Sequence, residues 1–137
     1  MSVFVPDASA TVAWCFKDES SEWTDALLAR FNAGDTAIVP QHWPLEVTNS
    51  ILVALRRGRI TKEKVARLFG DLLALPIRVD SSSRETTFGE VFACAEKYGL
   101  TVYDAAYLEL AIRERIPLAT LDSELRNAAN SAGVSLA

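Results

Sequence analysis

The strongest constraint on the fold of this 137-residue chain is a repeated alternation of short apolar runs with longer stretches of helical periodicity. Val3-Phe-Val ends at Pro6-Asp7, and Ala8 to Phe16 and Ser21 to Asn32 then read as helices, the second closed by Gly34. Ala37-Ile-Val, stopped by Pro40, is a second strand. From Pro44 to Arg57, Val47, Ile51, Ala54 and Leu55 recur at helical spacing, and Gly58 closes that helix. Thr61 with Lys64 opens another helix that runs to about Leu75, followed by a third strand, Pro76 to Asp80. Ser83 to Tyr98 is helical and capped by Gly99, and Tyr103 to Arg115 is the next helix. Pro117 to Thr120 is a fourth short strand, Asp122 to Ala132 a helix, and Val134-Ser-Leu136 a terminal strand.

No hairpin signal joins these strands, so the order predicts a parallel sheet with helices on both faces. The expected fold is a three-layer α/β domain, with a central parallel sheet of four to five strands. Residues 1–137 carry no internal repeat, low-complexity segment or linker and read as one domain.

Composition narrows the function. Half the residues are apolar and the mean hydropathy is +0.13, which excludes a disordered chain. The net charge of −4, with a pI near 5.0, argues against a protein coated in positive charge for sequence-blind DNA binding. It does not exclude phosphates, because an acidic site that holds cations also handles them. Cys15 and Cys94 stand far apart, without disulfide or zinc spacing, and read as free thiols. Met1 to Pro6 lacks a basic leader, and no apolar run approaches the roughly 18 residues of a membrane span. The expectation is a soluble cytoplasmic protein.

Four carboxylates fall where strands hand over to helices. Asp7 follows the first strand, and Glu46 stands in the first turn of the helix opened by Pro44. Asp104 stands in the first turn after Thr101, and Asp122 follows the fourth strand. In an open parallel sheet these ends lie along one edge, where ligands bind. Each acid also has a capping role open to it. Asp7 and Asp122 suit N-caps, Thr101 to Asp104 a capping box, and Glu46 the positive end of a helix dipole. Their surroundings add a second possibility. Asp7 lies beside an apolar run, Glu46 shares a helix face with Asn49 and Ser50, and Asp104 is embedded in Tyr-Asp-Ala-Ala-Tyr. Carboxylates gathered in a partly buried site repel one another, and a hard divalent cation such as magnesium or manganese removes that cost. Such a cation activates water for attack on phosphorus without a general-base histidine. His42, the only histidine, reads as a packing or surface residue.

Four segments in order carry a family resemblance: Val-Pro-Asp7-Ala-Ser9, Pro44-Leu-Glu46-Val-x-Asn49, Tyr103-Asp104-Ala-Ala-Tyr107 and Leu-Ala-Thr120-Leu-Asp122. Together they resemble the PIN-domain ribonucleases, in particular the VapC-type toxins of toxin–antitoxin pairs. The resemblance spans Val3 to Val134 and implies an αβα domain acting as a Mg2+- or Mn2+-dependent endoribonuclease. It places Asp7, Glu46, Asp104 and Asp122 as the acidic quartet that holds metal and carries catalysis, with Ser9, Asn49 and Thr120 in support. It further implies a homodimer and a small VapB-type antitoxin. Asp80 also follows a strand, but at the sheet edge, and reads as a cap before Ser81.

Arg56 to Arg67 holds six of the 14 basic residues against one acid, so Arg56, Arg57 and Arg59 are candidates to steer an RNA backbone. A solvated helix end explains the same run. Trp14, Trp23 and Trp43 read as core residues. Two other readings compete. Asp7-Ala-Ser9-Ala-Thr11 partly matches a phosphatase D-x-D-x-T motif, but Ser9 stands where its acid–base aspartate belongs. A catalytically inactive PIN-like scaffold for protein or RNA is the non-enzymatic alternative.

Overall fold

Successive strand residues face opposite ways, and in this chain both ways are apolar. In β1 (Val3–Pro6), Phe4 and Val5 are fully buried, each in a different hydrophobic cluster. Ala37 and Ile38 divide in the same manner in β2 (Thr36–Val39), as do Leu118 and Ala119 in β4 (Leu118–Ala119). A sheet buried on both faces needs a helical layer on each side. The computed structural model, which describes all of residues 1–137, shows that arrangement.

The sheet is parallel throughout, in the order β3-β2-β1-β4, with β3 spanning Ile77–Val79. On one face lie α1 (Ala8–Cys15) and α2 (Glu22–Asn32), which bring Ala10, Leu27 and Phe31 onto Phe4. The larger cluster joins the other face to α3 (Trp43–Arg56), α7 (Val102–Glu114) and α8 (Ser123–Ser131). Beside it pack α4 (Lys62–Ala74) and α6 (Phe92–Tyr98).

Element ends agree closely with the alternation in the sequence, and two segments differ. The segment expected to form one helix from Ser83 to Tyr98 is α5 (Arg84–Thr86), a π-helical stretch Thr87–Val91 and then α6. The terminal strand expected over Val134–Leu136 is a single parallel bridge, Leu118 to Leu136. Asp80, expected as a cap before Ser81, has the Ser82 N–H and hydroxyl as donors. It is buried, and both its oxygens receive the Arg113 guanidinium, at 2.8 and 3.3 Å. Trp43 is buried as expected, whereas Trp14 and Trp23 are only half-buried at the outer edge of the smaller cluster.

The strand order sets where a site can form. The chain passes from β1 to β2 to β3 on one side, then returns to place β4 on the other side of β1. The topology therefore switches between β1 and β4, and a crevice opens at their carboxyl ends. Asp7 and Thr120 immediately follow those two strands.

Candidate active site

Asp7 caps α1, and its carboxylate is only 5% exposed as a residue. Its Oδ1 accepts the Ala10 N–H at 2.9 Å and the Ser9 hydroxyl at 2.6 Å. Its Oδ2 accepts the hydroxyl of Thr120. Burial pushes the carboxyl above its ordinary range, the Ser9, Thr120 and Ala10 donors pull it back, and Asp122 pushes it up again. The capping role and the site role thus fall on one side chain.

The switch point is stitched by hydroxyls. Thr120, with no exposed surface, donates to Asp7 and accepts the Asp122 N–H at 3.0 Å. Ser9 Oγ donates to Asp7 and accepts the Leu121 N–H at 3.0 Å. The loop after β4 is therefore tied to the end of β1. Asp122, as N-cap of α8, spends Oδ1 on the Glu124 N–H at 3.0 Å.

Asp104 stands in the first turn of α7, whose N-cap Thr101 accepts the Asp104 N–H at 3.1 Å. Burial, followed by the charges of Asp122, Glu46 and Asp7, pushes its carboxyl up to about 6. That set of neighbours brings the four sequence-predicted acids into one mutually repelling group, with Asp104 and Asp122 in hydrogen-bond reach.

Glu46 enters from the first turn of α3. Its Oε1 accepts the Tyr107 hydroxyl at 2.5 Å and lies 3.3 Å from His42 Nε2. The histidine contact has ion-pair distance but not hydrogen-bond alignment, since that buried nitrogen has no aligned partner. Burial raises the Glu46 carboxyl, and His42 and Tyr107 together outweigh it, leaving the group below its usual range.

Two neighbours of the acids were not legible as such. His42, read as packing or surface, lies against the cluster one helical turn before Glu46, with its ring 5.0 Å from that of Tyr107. Tyr107 appears in the sequence only as the end of Tyr-Asp-Ala-Ala-Tyr. Its spacing of three from Asp104, which puts both on one helix face, is the signal that finds it. Asn49 is exposed and makes no side-chain hydrogen bond to the acids. Of the basic candidates, Arg56 and Arg57 are exposed. Arg59 is held by Asp18 at 3.0 Å and Glu19 at 3.1 Å, with its guanidinium over Phe16. That pairing removes Arg59 from a free basic patch.

No lysine or arginine pairs with any of the four acids. An all-oxygen donor set whose members repel one another, with no lysine or arginine to neutralise them, fits a hard divalent cation. No three His, Cys, Asp or Glu side chains form a ready-made ligand group.

A parallel sheet in this order, with acids at its switch point and on the flanking helices, defines a class of protein. The PIN domain matches residues 4–131, and the chain belongs to that family. Ribonuclease VapC3 of Pyrobaculum aerophilum is 31% identical over 121 residues, covering 88% of this chain and 90% of that protein. The crystal structure of PAE2754 from the same organism superposes with a TM-score of 0.70 at 25% identity, over 93% of this chain and 87% of that one. VapBC2 of Rickettsia felis, bound to a DNA fragment from its promoter, gives 0.66 at 17% identity over 98% and 97% of the two chains. FitAcB of Neisseria gonorrhoeae gives 0.66 at 14% identity over 97% and 95%.

Proposed function

We propose that this chain is a divalent-metal-dependent endoribonuclease and the toxin of a VapBC-type toxin–antitoxin pair. One observation carries the reading: four carboxylates gather at the sheet's switch point and on the helices beside it, with no lysine or arginine to neutralise them. The 31% identity to a VapC ribonuclease supports RNA as the substrate, and VapBC2 as a structural neighbour supports a VapB-type antitoxin as partner. A homodimer is the assembly we expect. No helix is long and apolar enough to cross a membrane, and we place the activity in the cytoplasm.

Asp7, Glu46, Asp104 and Asp122 are the residues that would hold Mg2+ or Mn2+. When bound, such a cation activates water for attack at phosphorus and stabilises the charge that develops on the phosphate. The chain's own groups set the geometry. Thr120 and Ser9 fix both oxygens of Asp7. Tyr107 fixes Glu46, and burial keeps the tyrosine hydroxyl protonated as a donor well above its ordinary range. Asp104, with a carboxyl near 6, releases its proton close to neutral pH. Attack by water breaks the P–O3′ bond, leaving a 5′-phosphate on one fragment and a 3′-hydroxyl on the other. Exposed Arg56 and Arg57, at the far end of α3 from Glu46, would attract the RNA backbone by charge.

Incubating the protein with structured RNA tests the proposal. Cleavage is expected with magnesium or manganese, and none with EDTA or in Asp7→Ala. Absence of cleavage with either metal across a broad RNA panel counts against the enzymatic reading.

A further inference from the structure

Beside the acidic cluster, and sharing His42 with it, is a cavity of about 210 Å³ between the turn after β2, the π-helical stretch and α7. This is smaller than the roughly 300–1,000 Å³ of pockets for drug-sized ligands, and is the scale of one planar ring system. Its floor is an ion cluster. Arg113 Nε and Nη2 donate to the two oxygens of Glu109, at 3.0 and 3.1 Å. Its Nη2 and Nη1 donate to the two oxygens of Asp80, at 2.8 and 3.3 Å, and Nη1 also reaches Glu114 at 3.5 Å. These contacts use all five N–H groups of the guanidinium, leaving none for a ligand. Asp80 also has the Ser82 hydroxyl and N–H as donors, whereas Glu109, buried like it, keeps unused lone pairs. One arginine against two carboxylates leaves the floor acceptor-rich and negative, and Arg113 holds the Asp80 carboxyl below its ordinary range.

A floor of this kind rejects a phosphate and accepts a planar group whose edge carries N–H donors. At the mouth stands Tyr103, 64% exposed and next in sequence to Asp104, with its ring 5.8 Å from that of His42. Exposed aromatic rings are the platforms on which unstacked RNA bases lie, while polar groups read the base edge. The wall that bears Thr87 is π-helical, a geometry that is rare and concentrated at functional sites.

We infer that this cavity is a nucleobase subsite for the nucleotide flanking the scissile phosphate, and that it selects guanine. The Watson–Crick edge of guanine presents adjacent N1–H and N2–H donors that suit a carboxylate. Adenine and cytosine each place one amino group beside a ring acceptor, and uracil flanks its one N–H with two carbonyls. The inference rests on the ribonuclease reading, because the cavity gains its meaning from the acids next to it.

The test is binding of short RNAs to Asp7→Asn protein in magnesium, followed by fluorescence anisotropy, so that it reads without turnover. The RNAs are uracil hexamers with one central guanine, adenine, cytosine, inosine or uracil. The central guanine is expected to bind at least tenfold tighter than the other standard bases. Inosine, which lacks the N2 amino group, is expected to lose most of that gain. Thr87→Trp, which fills the cavity from its exposed rim, is expected to erase the guanine advantage, with folding confirmed by thermal melting. Equal binding of all five RNAs, or a guanine preference that survives Thr87→Trp, overturns the subsite. Cleavage by the unmodified protein is scored separately, so a nuclease without guanine preference sinks the subsite alone, and a guanine-binding chain that never cleaves sinks the nuclease reading.

Discussion

Tyr107 donates its hydroxyl to Glu46 Oε1 at 2.5 Å across 61 residues of sequence, joining α7 to α3 at the mouth of the acidic site. The tyrosine is otherwise core, with only 1% of its surface exposed, so it orients the carboxylate from a rigid base. Tyr107→Phe keeps that packing and removes the one donor. RNA cleavage should fall about 10–100-fold, the usual cost of losing an outer partner of a metal-binding group. Glu46 also loses one of the two neighbours that hold its carboxyl low, so the acid limb of the pH–rate profile should move upward. A profile and rate matching those of the unmodified protein would remove Tyr107 from the site.

Thr120→Val tests the hydroxyl bridge. The substitution conserves shape at a fully buried position, yet strips a donor from Asp7 and an acceptor from the Asp122 N–H. Leaving a buried polar group unpaired costs about 1–3 kcal/mol, and urea unfolding should show a loss in that range. Activity should drop with it, since both affected acids belong to the site. Thr120→Ser, which restores the hydroxyl, should recover activity.

The repulsion among the acids has a signature in stability. Burial and neighbouring carboxylates raise the folded-state carboxyl of Asp104 from 3.8 to about 6, and burial raises Asp7 in the same direction. A raised carboxyl stabilises the fold fully below its unfolded value and loses that contribution as pH rises through the folded value. Metal-free protein should therefore lose stability between about pH 4 and pH 6 on this account. Asp80 and Glu46, both lowered, act with the opposite sign and below their ordinary values, so their window lies on the acid side. Magnesium at a hundred times its Kd should add about 2.7 kcal/mol near neutral pH. Asp104→Asn should flatten the slope and weaken the response to magnesium in thermal melts. A slope and a magnesium response unchanged in Asp104→Asn would count against the cluster.

Arg113→Met separates the ion cluster from the acidic site. It leaves Asp80 and Glu109 buried without their only cation, and breaking a buried pair from one side costs about 3–5 kcal/mol. With the Arg113 side chain 36% exposed, the loss should sit near the lower end of that range in urea unfolding. A loss within experimental error would show that water already satisfies the two carboxylates.

These relationships differ in how far the sequence alone shows them. The strand–helix alternation was legible because strand alternation, helical spacing and turn residues are local, and a parallel sheet leaves few other ways to cover both faces. The four acids were legible because each sits at a strand end or in a first helical turn, where topology determines what meets. Cross-chain pairings were not. Nothing near Asp80 announces Arg113, 33 residues on, and Arg59 looks free until Asp18 and Glu19 fold against it. His42 stands one helical turn before Glu46, but its place against Tyr107 comes from α7 meeting the start of α3. The apparent acidity of the chain also gains a place. Without the four site acids, 14 of the 18 remain, equal to the 14 lysines and arginines, so the excess negative charge equals that of the site acids.

The most direct test of the central claim is the end chemistry of the RNA fragments made with magnesium, read by mass spectrometry. Water attack directed by this site predicts 5′-phosphate and 3′-hydroxyl ends, absent with EDTA and in Asp7→Ala. A 2′,3′-cyclic phosphate, or cleavage that persists in either control, would contradict a metal held by these four acids.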